Sequence, residues 1–229
     1  MKHQQMKSKS IYIIPLLILL TAFTYTPSIL KKSVTDLDNK YFPVNNTKTL
    51  VYNSSFGESI TKNTQDGNFI VTSNESDKFK YRQTLMIQND GVYIKETYQF
   101  LKIFLFISKT ATFTYKKPLL RFPLPLSQGM QWKFEGDEYS DGATNKVTVT
   151  GKVIDTEFIN TKAGKFEVIK LESIVEGSGN SKNIVTEWYA EGIGLVKVKI
   201  IIKGGGLPGV LRDLLGYSTI EFELKEIRG

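Results

Sequence analysis

Apolar and polar side chains alternate along much of the chain, and the alternation is clearest between residues 183 and 203. There the sequence predicts a strand that ends in Glu187-Trp188-Tyr189, a turn from Ala190 to Gly194, and a second strand after it. The second strand has an apolar face and a basic face, formed by Val196, Val198, Ile200 and Ile202 and by Lys197, Lys199 and Lys203. Because successive side chains of a strand point to opposite sides, this pattern is typical of a half-buried antiparallel hairpin.

Similar segments recur from residue 49 to residue 225, separated by turn sequences such as Asp66-Gly67 and Asn89-Asp90-Gly91. The run from Val92 to Ile107 is interpreted as one long strand, and the acidic residues from Glu135 to Gly142 are interpreted as a loop. On that long strand Val92, Ile94, Tyr98 and Phe100 alternate with Lys95, Thr97 and Gln99. We therefore predict an all-β fold in which antiparallel sheets form a sandwich or a partly open barrel.

Two short matches within the chain predict that its halves are related, and one of them is Asp90-Gly91-Val92-Tyr93-Ile94 with the stretch from Glu191 to Val196. Phe42-Pro43-Val44 precedes Tyr52 with the same spacing as Phe122-Pro123-Leu124 precedes Trp132. Because no linker-like stretch separates the halves, a single β-rich domain is favoured over two independent ones. The predicted bounds are 41–229 for the domain, and about 41–117 and 118–229 for its halves.

Residues 1–32 have the pattern of a signal peptide or an N-terminal membrane anchor. A segment with three lysines comes before an apolar stretch that runs from residue 11 to residue 23. That stretch suits a cleaved signal, whereas extension to Leu30 gives about 20 residues, enough for a hydrophobic helix that spans a bilayer. If this segment is uncleaved, residues 11–30 contact the membrane. Both interpretations predict export, with the polar residues 33–40 as a tether.

The net charge of +7 does not indicate a nucleic-acid partner. The chain has 30 Lys and Arg residues against 23 Asp and Glu residues. Five of these lysines lie within residues 1–32, which contain no acidic residue, so the remainder is nearly neutral at 25 against 23. No nucleic acid is therefore predicted as a partner.

The content of cysteine and histidine restricts the chemistry of the β-rich domain. The chain has no cysteine, and its one histidine is His3, in the N-terminal segment. This composition excludes disulfides, cysteine nucleophiles, a Ser-His-Asp triad within one subunit and histidine-ligated zinc. The acidic residues of 135–141 fit no EF-hand spacing, so a solvated turn is expected there. No metal and no cofactor are predicted.

The hairpin near the end of the chain provides the first candidate site. Trp188 and Tyr189 lie beside Gly192 and Gly194, where aromatic rings could stack on a sugar or an apolar ligand or could pack in the core. Glu187 and Glu191 bracket the turn, and a glycosidase needs two carboxylates on opposite sides of a cleft. Carboxylates at turn edges are more often solvated than catalytic, so no catalytic residue is predicted.

The glycine-flanked segment from Gly204 to Gly216 provides the second candidate site. Its apolar residues are spaced like one face of a short helix. Such a helix could form a lid over an apolar cavity, contact lipid, or plug one end of a barrel. Across both sites, the predicted ligand-binding residues are Trp188, Tyr189, Leu207, Leu211, Leu214 and Leu215.

Four motifs resemble those of a group of uncharacterised exported bacterial proteins, many of which have lipoprotein features. They are Tyr41-Phe42-Pro43, Phe122-Pro123-Leu124 with Gly129 and Trp132, Thr161-x-Ala163-Gly164-x-Phe166, and the stretch from Trp188 to Lys197. The resemblance implies a β-rich fold in the bacterial cell envelope, in the periplasm or at the cell surface. It implies no activity, and lipid anchoring does not carry over because the lipoprotein cysteine is absent.

Two functions are consistent with these features. The first is a non-enzymatic binding or structural module of the cell envelope, which holds an apolar or lipid-like ligand or an envelope protein partner. The second is a carboxylate-dependent hydrolase that acts on glycans. The β-rich domain lacks cysteine and histidine, the commonest nucleophile and base, so the first function is favoured.

Overall fold

The computed structural model describes residues 40–43, 48–104, 107–177 and 180–229. The strands of the first half are β1 (Thr49–Ser54), β2 (Gly57–Asp66), β3 (Phe69–Glu75), β4 (Phe79–Gln88), β5 (Gly91–Phe104) and β6 (Ile107–Pro123). The second half contains β7 (Gln131–Ser140), β8 (Ala143–Thr161), β9 (Gly164–Gly177), β10 (Ser181–Ala190), β11 (Gly194–Ile202), α1 (Gly206–Leu215) and β12 (Thr219–Arg228). The predicted signal or anchor lies outside the described residues.

Each strand pairs antiparallel with the strand before and after it in the chain, and the sheet closes on itself. Closure depends on β1, which pairs with β2 on one side and with β12 on the other. The register of the closing pair sets Ser54 opposite Phe222 and Tyr52 opposite Leu224. The predicted all-β antiparallel fold is confirmed, and the barrel is closed rather than partly open.

The interior is divided along the barrel axis because inward-facing residues differ in character from one end to the other. At one end the first apolar cluster includes Phe42, Phe122 and Trp132. The segment before β1 is held at this end, where the Gly192 amide donates a hydrogen bond of 2.7 Å to the Lys40 carbonyl. The ring of Phe42 meets that of Phe122 edge-on at 6.0 Å, so this end of the barrel is filled by side chains.

The predicted amphipathic helix is present as α1, between β11 and β12 at the opposite end of the barrel. It ends at Leu215, and the capping residue Gly216 has a φ of 74°, the left-handed conformation that glycine adopts at helix ends. Leu211 packs with Ile202, Ile220 and Phe222 in the second apolar cluster. The helix therefore covers part of the barrel end at which β11 ends and β12 begins. Among the described residues, no helix is long and apolar enough to cross a membrane.

Two local predictions differ from the structure. The long strand expected over 92–107 ends at Phe104. The division into two related halves at about residues 117–118, which lie within β6, stays a prediction. The acidic loop expected over 135–142 is mostly strand β7, because Glu135 and Asp137 lie on its outer face and Glu138 on its inner face, and only Asp141 and Gly142 form the turn.

A register shift on β5 also changes which residues face inward. Pairing with β6 shifts between Ile94 and Glu96, which is a β-bulge. One extra residue reverses the alternation beyond it. Ile94 lines the interior before the bulge, whereas Thr97 and Gln99 line it afterwards. The face on which Ile94 and Tyr98 were expected together is therefore split between the inside and the outside of the barrel.

Candidate functional site

A cavity of about 480 Å³ lies inside the barrel, between the filled end and α1. Cavities of roughly 300 to 1,000 Å³ are typical of small-molecule sites in proteins. Strand alternation produces its lining, because every second residue of each strand points inward. The interior of this barrel is thus large enough to hold a ligand.

The lining has two different walls. Strands β2 to β5 contribute mainly uncharged polar side chains, which are Thr61, Asn63, Thr72, Asn74, Gln83, Thr97 and Gln99. Strands β11 and β12 together with α1 contribute aliphatic and aromatic ones, which are Val198, Ile200, Ile202, Leu211, Ile220 and Phe222. A molecule in the cavity therefore meets amide and hydroxyl groups on one side and hydrocarbon on the other.

Two oppositely charged side chains, one from β6 and one from β10, form an ion pair inside the barrel. The Nη2 atom of Arg121 lies 2.5 Å from Oε1 of Glu187, and the two side chains are only 18% and 11% exposed. Arg121 also donates through Nη1 to Oε1 of Gln83 at 3.1 Å and through Nη2 to the Tyr189 hydroxyl at 2.9 Å. That hydroxyl donates to Glu187 at 2.9 Å, so the four side chains form one connected network.

Burial and charge set the ionisation of this network. Burial alone would lower the pKa of Arg121, but the neighbouring carboxylate of Glu187 raises it above its ordinary value. Burial raises the pKa of the Tyr189 hydroxyl well above its usual range, so this group stays protonated and can donate. The charge of Arg121 is thus largely offset by Glu187.

Hydrogen-bond acceptors gather at the α1 end of the cavity. Within the described part of the chain, the buried Oδ1 atoms of Asn74 and Asn183 have no hydrogen-bond partner. Both asparagines line the cavity, as do the carboxyl side chains of Glu138 and Asp141. Buried polar atoms are normally satisfied, so the Oδ1 atoms of Asn74 and Asn183 mark positions that a donor would occupy.

The two residues of the predicted aromatic pair point to opposite sides of β10. Tyr189 lines the cavity and belongs to the charged network. Trp188 points outward, where its Nε1 donates to Glu157 at 2.6 Å and its ring lies beneath the Nζ atoms of Lys170 and Lys197. Adjacent residues on a strand cannot share a face, so the structure separates the predicted pair. A ligand role for either residue stays a prediction.

The predicted helix residues also occupy different environments. Leu211 lines the cavity and is 5% exposed, whereas Leu214 is 54% exposed. Leu215 is half-buried and packs against the second apolar cluster. Leu207 lies in the first turn of α1, and its side chain is outside the described set. Of these four leucines, Leu211 is the one that the structure brings to the cavity wall.

The two carboxylates that bracket the hairpin do not face each other. Glu187 lies inside the barrel against Arg121, whereas Glu191 lies at the exposed turn and pairs with Lys40 at 3.3 Å. The acidic residues of β7 are also divided, since Glu135 and Asp137 pair with lysines outside while Glu138 lines the cavity. Within the described residues, no three acidic or histidine side chains come together as a metal site.

Arg121 and Gln83 are site residues that the sequence patterns did not single out. Arg121 stands within the apolar run Leu119-Leu120-Arg121-Phe122, where a charged residue has no obvious partner in the sequence. An arginine inside an apolar strand is a usable signal, because buried charges are normally paired. Gln83 carries no comparable signal, since glutamine is common on exposed strands.

The chain resembles known proteins at two levels, a family profile and solved structures. The sequence profile of the DUF3108-like family matches residues 46–209. A candidate lipoprotein from Parabacteroides distasonis ATCC 8503 has a similar structure, with a TM-score of 0.41 and 12% identity over 83% of this chain and 99% of that one. A candidate exported protein with a YmcC-like fold from Bacteroides fragilis NCTC 9343 has a TM-score of 0.44 and 13% identity over 83% and 100% of the chains. A comparison with curated proteins finds no match.

Proposed function

The chain belongs to the DUF3108-like family, and from that premise we propose that it is a non-enzymatic binding protein of the bacterial cell envelope. Its ligand is an apolar or lipid-like molecule held inside the barrel. The observation that carries the proposal is the cavity of about 480 Å³, one wall of which is hydrocarbon. Burying apolar ligand surface against such a wall is favourable by roughly 25 cal/mol per Å² before the costs of association.

The place of the protein in the cell is part of the proposal. Residues 1–32 combine basic residues with an apolar stretch, which is the pattern of an export signal or an anchor. An exported carrier needs no histidine or cysteine, and the β-rich domain has neither. The barrel would thus work outside the cytoplasm, where apolar molecules must be shielded from water as they move.

In this proposal the ligand enters the cavity past the helix α1. It is joined to β11 through Lys203 and two glycines, and it covers the cavity through Leu211. Backbone hydrogen bonds at its base run from the amides of Lys203 and Gly204 to the Lys182 carbonyl. A short helix held between glycine-containing segments can move as a lid while the strands stay paired. Movement of α1 would expose the hydrocarbon wall without opening the barrel.

A fluorescent apolar probe tests the proposal. N-phenyl-1-naphthylamine brightens when it leaves water, so saturable binding to the mature protein, as its host delivers it, should raise its emission. Leu211→Asp places a charge at the cavity wall and should weaken binding by about tenfold or more. The matched control Leu214→Asp adds the same charge on the exposed side of α1 and should change affinity by less than about twofold.

A second variant tests the same position without burying a charge, because a buried charge can unfold the protein. Leu211→Trp fills part of the cavity with a larger side chain and should also weaken probe binding. Urea unfolding of each variant identifies any that is no longer folded. The proposal fails if folded protein shows no saturable rise in fluorescence, or if Leu211 and Leu214 variants bind the probe equally well.

A further inference from the structure

The outer surface of the barrel carries its cations in two different ways. On strands β8 to β11 the outward lysines pair with carboxylates at 2.7 to 3.5 Å, as Lys152 with Glu172, Lys170 with Glu157, Lys182 with Glu176, Lys197 with Glu223 and Lys199 with Glu221. A second group of exposed cations forms no ion pair among the described residues. This group, which we call the basic face, consists of Lys62, Lys78, Lys80, Arg82 and Lys102.

Alternation directs the basic face to the outside of the sheet. Tyr81 and Gln83 line the cavity, so Lys80 and Arg82 on the same strand point outward. Arg82 lies opposite Tyr98 on β5, and its guanidinium carbon is 5.1 Å from the centre of the tyrosine ring. A guanidinium group held over an aromatic ring keeps its charge and its N–H donors available to an anion outside the barrel.

Few carboxylates share the region of the basic face. Glu75 lies opposite Lys80 on β3, and Asp77 lies beside Lys78 before β4. Neither carboxylate forms an ion pair within the described part of the chain. Glu96 is also outward on β5, one step further from the α1 end. Five cations thus stand with two carboxylates at this end, although the β-rich domain as a whole is nearly neutral.

Exposed apolar side chains lie at the same end of the barrel. Strands β5, β7 and β11 run in the same direction and end beside α1. Ile107 is 55% exposed at the start of β6, Tyr139 is 52% exposed near the end of β7, and Leu214 is 54% exposed on α1. Tyrosine and aliphatic side chains beside cations suit a membrane interface, where the rings and hydrocarbon enter the head-group region and the cations meet phosphates.

We infer that the α1 end of the barrel docks on an anionic lipid bilayer, with the basic face against the lipid phosphates. Ile107, Tyr139 and Leu214 belong to three different connections at the rim, so a flat surface contacts them together more readily than one groove of a protein partner would. The inference goes beyond the proposed function and does not depend on which molecule the cavity holds. It places α1 next to lipid.

The absence of cysteine allows a single reporter to be attached to the basic face. Thr110 is exposed and lies opposite Phe100 on the outer side of β6, so Thr110→Cys labelled with acrylodan reports contact there. Vesicles of phosphatidylcholine with about 30% phosphatidylglycerol should shift the emission of the labelled mature protein to the blue. Pure phosphatidylcholine vesicles should not, and about 0.5 M NaCl should abolish the shift by screening.

A second labelling position tests whether the dye itself enters the bilayer. Glu167 is exposed on β9, in the hairpin away from the α1 end, and Glu167→Cys carries the same dye. Its emission should stay unchanged with the anionic vesicles. Because both labels sit on the barrel, they report contact of their own surface whether or not residues 1–32 stay attached.

Matched charge variants locate the effect. The basic-face variant combines Lys80→Gln, Arg82→Gln and Lys102→Gln in the Thr110→Cys protein. It should lose most of the shift at the vesicle concentration that half-saturates the unaltered protein, since each cation near an anionic surface is worth about fivefold in affinity. The control removes as many charges where lysines already pair with carboxylates, through Lys152→Gln, Lys182→Gln and Lys199→Gln. It should keep most of the shift.

The outcomes decide the inference without reference to the carrier function, because no apolar probe is present. A blue shift that needs anionic lipid, persists in the control and disappears in the basic-face variant supports docking. A shift that is absent, equal with both kinds of vesicle, equally lost in the control or equally large at Glu167→Cys overturns it. A shift with heparin but none with vesicles would assign the basic face to a soluble polyanion and overturn it as well.

Discussion

At the scale of single residues, the barrel depends on a few polar side chains that are enclosed with their partners. Arg121, Gln83, Glu187 and Tyr189 come from three strands that are distant in the sequence, and they meet inside the barrel. A buried ion pair contributes little net stability, because both charges lose their hydration. Removing one of the two charges is costly, however, because the other charge is then buried without a partner.

The first prediction concerns this pair. Arg121→Met leaves Glu187 unpaired and should lower the free energy of unfolding by about 3 to 5 kcal/mol. The double variant Arg121→Met with Glu187→Met removes both charges and should recover most of that loss. Urea unfolding measures all three proteins. A single variant that loses under about 1 kcal/mol, or a double variant as unstable as the single one, would contradict the buried pairing.

The second prediction concerns pH. Burial raises the pKa of Tyr81 to about 12, and it also raises the pKa values of Tyr52, Tyr115 and Tyr189 above the ordinary value. Above about pH 10 these hydroxyls lose protons in the unfolded chain but keep them in the folded one. Unfolding then releases protons, so stability falls as pH rises from about 10 through about 12, by about 1.4 kcal/mol per pH unit for each such tyrosine.

Unfolding midpoints measured between pH 9 and pH 12 check this slope. Tyr81→Phe removes one buried hydroxyl and should make the fall less steep. Tyr139 is 52% exposed, so Tyr139→Phe serves as the control and should leave the slope unchanged. Stability that stays constant across this range would show that the tyrosine hydroxyls are not enclosed in the folded state.

At the scale of elements, strand β10 shows how alternation assigns neighbouring residues to different tasks. The alternation from 183 to 203 predicts the β10–β11 hairpin correctly, because local spacing alone determines which residues share a face. Val198, Ile200 and Ile202 line the cavity, and Lys197 and Lys199 pair with Glu223 and Glu221 on the other side. The same rule separates Trp188 from Tyr189, which the aromatic composition alone would group together.

The third prediction follows from the outward position of Trp188. Trp188→Phe removes the hydrogen bond to Glu157, and bonds to charged groups are worth about 1.5 to 3 kcal/mol. Stability should fall within or somewhat below this range, while affinity for N-phenyl-1-naphthylamine should change by less than about twofold. Fluorescence titration and urea unfolding of the same protein measure the two quantities. A large loss of affinity without loss of stability would place Trp188 in the ligand site.

Other parts of the site depend on features that local patterns do not contain. The inward positions of Thr97 and Gln99 depend on the bulge after Ile94, which reverses the alternation. A bulge depends on pairing with another strand, so the sequence of β5 alone cannot reveal it. The helical spacing within 204–216 predicts α1, but the position of Leu211 against the cavity depends on where β11 and β12 end.

At the scale of the whole molecule, closure of the barrel depends on contacts between the two ends of the domain. The pairing of Tyr52 with Leu224 joins β1 to β12, which lie at opposite ends of the described chain. The sequence predicts strands of the right character for a sandwich or a barrel, but long-range register decides between them. Closure also makes the cavity, because it brings the polar wall of β2 to β5 and the apolar wall of β11 and β12 around one interior.

The fourth prediction concerns β6 and β7, which share the shortest ladder of paired residues in the described part of the sheet. Among the described residues, β6 and β7 pair only through Thr114 with Tyr139 and Tyr115 with Glu138. Strands β8 and β9, by contrast, pair from Thr148 opposite Glu176 to Thr161 opposite Gly164. Hydrogen exchange read by mass spectrometry should therefore be faster in peptides from 116–123 and 131–137 than in peptides from β8 and β9. Equal protection of the amides in the two strand pairs would show that the β6–β7 ladder is longer.

The central claim is that the barrel interior holds an apolar or lipid-like molecule, and native mass spectrometry of the mature protein from its own host tests it most directly. The account predicts a co-purified molecule of lipid-like mass, retained in Leu214→Asp and lost in Leu211→Asp. A bare polypeptide mass in the unaltered protein, with no adduct after the gentlest ionisation and incubation with host envelope extract, would contradict it.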